Sequence, residues 1–127
     1  MLDNLYVVFS KPPDGISWDE YNRWYEHHAR ENVESRGFKG VQRYAVNPVV
    51  VGSGVGPTRA AVDAKSLPVP YSHLAVFEFE GDIKDVRADL ADRVARRDIV
   101  LPEWFNDVPF ATWNCVPIDE RVEPKSR

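Results

Sequence analysis

The sequence predicts an α+β domain whose elements run strand, helix, strand, strand, helix, strand. Three observations carry this. A stretch free of Pro and Gly, bounded by a capping signal and a glycine, reads as a long amphipathic helix. A second, shorter segment repeats an apolar residue every three or four positions. Four runs rich in Val, Tyr, Phe and Trp separate and flank these helices at strand length. That order is the ferredoxin-like plan, a four-stranded antiparallel sheet with two helices on one face.

The first strand is Leu5 to Phe9, apolar on both of its faces, and Lys11 to Gly15 (KPPDG) forms the turn after it. The long helix follows within Ile16 to Gly37. Ser17 and Glu20 have the spacing of a capping box, and Gly37 that of a helix C-cap. At about 100° per residue, Trp18, Tyr21, Tyr25 and Ala29 fall on one side, with Trp24 and Val33 on its flanks. The adjacent histidines separate: His27 turns to solvent, while His28 joins the aromatic stripe with Asn32 one turn further on. A stripe of Trp, Tyr, His and Asn is a poor core and a good pocket wall.

Phe38 to Val51 reads as the second strand, with Pro48 marking where pairing must end. Residues 52–70, rich in Gly and Pro, are expected to form a long lid or dimer arm, with a short helical turn at Ala60 to Lys65. Tyr71 to Glu80 alternates, placing Tyr71, His73, Ala75, Phe77 and Phe79 on one face. Asp82 caps a second helix that runs to about Arg97, with Ile83, Val86, Leu90 and Val94 as its stripe. Asp98 to Asp107 is an apolar connection, Val108 to Ile118 the last strand, and 119–127 a charged, frayed tail. The first and third strands are apolar on both faces, whereas an open antiparallel sheet alternates with polar residues. The bare face therefore predicts a homodimer packed sheet against sheet.

The 127 residues suit one domain, 1–127. No apolar run approaches the ~20 residues of a membrane span, and the opening segment does not read as a signal peptide, so a cytoplasmic protein is expected. The single cysteine excludes an internal disulfide. The net charge of −4 argues against nucleic-acid binding, and Arg93, Arg96 and Arg97, set among aspartates, read as a solvated face. Four Trp and 12% aromatic residues favour an aromatic-lined site. There is no G-x-S-x-G elbow and no dinucleotide fingerprint. His27 and Glu31 lack a third metal ligand nearby, so neither a metal nor a cofactor is expected.

The first 45 residues resemble the EthD-like branch of the dimeric α+β barrel superfamily. The resemblance rests on Phe9, Pro12 and Gly15; on Tyr21, Asn22, Trp24, Tyr25 and His28; and on Gly37, Phe38, Arg43 and Tyr44. It implies a dimeric barrel and a small-molecule site between helix and sheet. More narrowly, the chain is similar to small proteins of bacterial lignin-aromatic catabolism. Those act on ring-opened methoxylated hydroxy-dienoates as methyl esterases or cis–trans isomerases. On that reading His28 or His73 is the general base and Tyr25 assists proton movement. Arg43 holds a substrate carboxylate. Tyr21, Trp24, Asn32, Trp104, Trp113 and Asn114 wall the pocket or hold an oxyanion. Two other readings stay open: a cofactor-free monooxygenase of a phenol, and a non-catalytic barrel that binds an aromatic ligand. Each candidate also has a plainer role: a core histidine satisfied by its neighbours, an Arg43 paired with Glu78 or Glu80, tryptophans that only pack.

Overall fold

The computed structural model describes residues 3–47, 51–53, 60–62 and 71–126. Strands β1 (Asn4–Ser10), β2 (Phe38–Ala45), β5 (His73–Phe79) and β6 (Phe110–Cys115) form one antiparallel sheet in the order β2-β5-β1-β6. Helices α1 (Trp18–Val33) and α2 (Ile83–Ala95) contribute residues to one cavity over the same sheet face. The ferredoxin-like α+β plan is thus present. Val51–Ser53 (β3) and Ala60–Val62 (β4) pair as a separate two-stranded ladder. Ala60 to Val62 is therefore a strand and not the start of a helical turn, and Val51 belongs to that ladder instead of extending β2. The rest of the expected lid, 54–59 and 63–70, lies outside the described residues.

Alternation along β1 and β5 decides what each face carries. Tyr6 lies opposite Phe77, Val8 opposite Ala75 and Ser10 opposite His73, all on the face that meets α1. The other face carries Leu5, Val7 and Phe9 with Leu74 and Val76 across from them. One extra residue at Lys39 bulges β2, so that Phe38 pairs with Phe79 and Gly40 with Glu78. The last strand is shorter than its apolar run, because Pro109 and Pro117 cannot donate to a ladder. Among the described residues no helix is long and apolar enough to cross a membrane.

The core is the α1 stripe laid on this inner face: Tyr21, Tyr25 and Ala29 against Val8, Ala75 and Phe77. Burying such a large aromatic stabilises by roughly 2–3 kcal/mol each. Trp18 departs from the expected stripe. It begins the helix, overhangs the sheet and stays 47% exposed. At the start of α1 the Ser17 side chain accepts the Glu20 N–H at 3.1 Å. The helix closes at Glu34, not at Gly37. Gly37 has another task. Its φ is +94°, and a Cβ there would lie 2.8 Å from Val86 Cγ2 and 3.0 Å from the Glu80 carbonyl oxygen, so only glycine lets α2 close on this turn.

Two side chains fasten α2 to the end of α1. Asp89 accepts the Arg36 N–H at 2.7 Å. Arg93 donates to the Glu31 carbonyl at 2.6 Å and to Ser35 Oγ at 2.7 Å. Arg93 is thus a structural clamp, unlike the solvated residue expected, while Arg96 pairs with Asp98 at 3.2 Å. The end of α2 is a Schellman turn: Asp98 N–H reaches the Arg93 carbonyl at 2.8 Å and Arg97 N–H the Val94 carbonyl at 3.1 Å. Arg97 holds the left-handed position at φ 64° and is exposed. Glycine suits that conformation better than any residue with a Cβ, so Arg97→Gly should stabilise the chain by about 1 kcal/mol. A urea denaturation midpoint that falls in the variant would contradict this.

Candidate active site

The site is built where the second half of α1 meets α2 and the β1–β6 side of the sheet. A cavity of about 330 Å³ opens there, a size suited to a small organic ligand. Tyr25, His28 and Asn32 enter from α1, Arg87 and Leu90 from α2, Tyr6 and Thr112 from the sheet, and Phe105 and Phe110 from the last connection and strand. A neighbouring hollow of about 200 Å³ shares His28, Asn32, Leu90 and Phe105 with it.

His28 is 6% exposed and stacks on Trp24, with ring centroids 4.5 Å apart and planes 20° from parallel. Asn32, one turn on, sets its amide 3.1 Å from His28 Nε2. Nδ1 is buried with no hydrogen-bond partner among the described residues, and the Glu31 carboxylate stands 3.9 Å away. An amide N–H on Nε2 leaves the ring proton on Nδ1, facing that carboxylate. Burial, aided by the nearby His27, pulls the His28 pKa down from 6.5 to about 4, so the imidazole is neutral at physiological pH. Tyr25 is almost fully buried, which pushes its phenol up and keeps it a neutral hydroxyl.

His73 does not join this cavity. It lies opposite Ser10 at the other end of the inner face, against Trp18 and Tyr21 from the first turn of α1. Tyr21 and His28 are seven residues apart, about 10 Å along a helix, and the Tyr21 and Tyr25 rings occupy the interval. His73 Nδ1 is 2.8 Å from Ser72 Oγ, and burial, aided by Arg43, pulls its pKa down to about 4. Arg43 stays with His73. It faces α1 and donates to Asn22 Oδ1 at 2.5 Å, its Cζ lying 5.3 Å from the Tyr25 ring centroid. No pairing with Glu78 or Glu80 forms.

Several expected wall residues serve elsewhere. Tyr21 is fully buried and donates its hydroxyl to Ser10 Oγ at 2.7 Å, out of a ligand's reach. Trp104 packs behind Trp24 at 4.9 Å and backs the site without lining it. Trp113 is 55% exposed and packs against Phe9 on the far face of the sheet. Asn114, across from Tyr6, is exposed and not part of the cavity lining. Conversely, Arg87 and Phe105 are site residues that the sequence pattern passed over. Arg87 sits four residues after Ile83 and three before Leu90, on the border of the α2 stripe, which is the signal that marks it. Among the described residues it makes no ion pair, and no three His, Cys, Asp or Glu side chains cluster as metal ligands would.

Family models, curated proteins and solved structures were each compared with the chain, and none matches.

The two buried neutral histidines make stability depend on pH. Between the ordinary value of 6.5 and the folded value of about 4, the unfolded chain takes up protons that the folded chain refuses. Stability is therefore full above about pH 7 and falls as the pH drops through that window, by up to about 3 kcal/mol per ring. Urea midpoints measured across it should show this slope. His28→Gln and His73→Gln should each flatten it, and a slope indifferent to both would rule the rings out as its source.

Proposed function

We propose that the chain is a cofactor-free acid/base enzyme acting on a carboxylate of aromatic-ring size in the His28 cavity. The observation that carries this is a buried, neutral imidazole beside Asn32 and a neutral Tyr25, in a hollow with an unpaired Arg87 at its exposed rim. The substrate class proposed is the ring-opened methoxylated hydroxy-dienoate implied by the narrower resemblance to small proteins of bacterial lignin-aromatic catabolism, with methyl-ester hydrolysis as the reaction. Arg87 holds a substrate carboxylate through its planar fork. A water that displaces the Asn32 amide from His28 Nε2 gives its proton to that nitrogen as it attacks the ester carbonyl. Glu31 steadies the imidazolium that forms on the other nitrogen. Asn32 and Tyr25 donate to the oxyanion. The proton then passes to the departing methoxide, releasing methanol and a carboxylic acid that gives its own proton to solvent. Cis–trans isomerisation uses the same groups, with the His28 ring moving a proton on the dienol.

Incubation with such a dienoate methyl ester should release methanol. His28→Ala should lower turnover by about 100-fold or more, while Arg87→Gln should act mainly by raising KM. Turnover within a few-fold of wild type in His28→Ala would exclude the base role. One observation favours a second reading: a ring of pKa about 4 with Nε2 already satisfied is a weak base. On that reading the barrel binds its aromatic-derived ligand without changing it. Quenching of tryptophan fluorescence by the dienoate, with no methanol and no isomer formed, would decide for it.

The partner proposed is a second copy of the chain on the outer sheet face, where Leu5, Val7, Phe9, Leu74 and Val76 stand half-buried beside the exposed Trp113 and Tyr44. An apolar patch of this kind is unusual on a monomer. Sedimentation should give twice the chain mass, and a stable monomer at micromolar concentration would remove the proposal.

A further inference from the structure

A second hollow lies at the β2 edge of the inner face, divided from the first by Tyr25. It has a volume of about 140 Å³, and Trp18, Asn22, Arg43, Tyr44 and His73 lead its lining. Two of its groups lack the partners a folded chain normally provides. His73 is 4% exposed, and its Nε2 is buried with no hydrogen-bond partner among the described residues. Arg43 gives one N–H to Asn22 and rests against the Tyr25 face, and among the described residues no carboxylate pairs with it. When the Ser72 hydroxyl donates to Nδ1 across their 2.8 Å separation, Nε2 carries the ring proton and becomes a second donor. A guanidinium fork and an imidazole N–H in one hollow suit an anion with two oxygens. Trp18 adds a shape requirement. Its ring lies over His73 at 5.0 Å, tilted by 33°, and 47% of the residue remains open to a flat ligand.

We propose that this hollow binds a small planar carboxylate, its oxygens shared between Arg43 and His73 Nε2 and its flat body against Trp18. The site is separate from the one assigned to His28 and does not depend on that activity. None of the residues lining it lines the larger cavity.

The test titrates the full chain with benzoate while the imidazole signals of the three histidines are followed by NMR. The His73 signals should shift saturably in the millimolar range or below. Arg43→Gln should weaken that response about tenfold or more, Trp18→Ala should weaken it several-fold, and Arg87→Gln should leave it unchanged. Trp18 is half exposed, so its variant keeps the test informative if Arg43→Gln fails to fold. An unmoved His73, or a His73 response that survives either Arg43→Gln or Trp18→Ala, overturns the proposal. Inorganic phosphate that shifts His73 as strongly as benzoate overturns the requirement for a planar carboxylate. A response at His28 that is lost in Arg87→Gln reports on the larger cavity alone, so failure at one site is distinguishable from failure at the other.

Discussion

The Tyr21 hydroxyl is the contact on which the arrangement of helix and sheet depends. A phenol with no exposure must find a partner, because an unpaired buried hydroxyl costs about 1–3 kcal/mol. It finds Ser10 Oγ at 2.7 Å, at the end of β1. The backbone carbonyl of the same serine accepts the Ser72 N–H at 3.0 Å, just before β5. One corner therefore ties α1, β1 and the entry to β5 together, and it sets both the height and the phase of α1 over the sheet. Desolvation lifts the Tyr21 pKa to about 12, so the contact persists across the pH range in which the fold exists.

That anchor also divides the interior. With Tyr21 and Tyr25 filling the middle of the helix–sheet interface, the remaining space falls on either side of them. The C-terminal half of α1 opens toward α2 and the last strand, giving the His28 cavity. The N-terminal half opens toward β2, giving the hollow at Arg43 and His73. The division is made of rings instead of aliphatic side chains, each fixed by edge or stacking contacts with its neighbours. Stiff side chains with few rotamers hold a site's shape at low entropic cost. The arginines follow the same division. Arg93 clamps the helices together, Arg43 stays at the β2 edge, and Arg87 stands exposed at the rim of the larger cavity with no ion pair among the described residues.

The sheet's other face poses the opposite problem. Among the described residues, one nitrogen on each buried histidine is the only buried side-chain nitrogen or oxygen left without a partner. The outer face has few polar atoms to satisfy and a surplus of apolar area. Cross-strand neighbours such as Val7 and Val76, or Phe9 and Leu74, cover each other only in part. The two faces thus differ in chemistry, with polar groups among aromatic rings inside and an apolar surface outside.

Local rules determined the elements. Period and capping placed α1 within two residues at its start and separated His27 from His28, because both depend only on the geometry of one helix. Alternation put His73 on the inner face, but the reading that made Trp113 a pocket wall fails, because β6 pairs with a strand about a hundred positions earlier and the register turns Trp113 to the outer face beside Phe9. What period and alternation do not carry is depth along an interface. His28 and His73 share a face in the sense that each points inward, yet whether they meet depends on where α1 stops sliding over the sheet. The Tyr21–Ser10 contact decides that, across eleven residues of chain and a turn. For the same reason Arg87 was legible only as the polar border of an apolar stripe. The sequence by itself determined which side chains in the middle of α1 and along β1 and β5 turn inward. Only the tertiary structure decided which of them stand within reach of one another, because that distance is set by how large rings pack and by no local repeat.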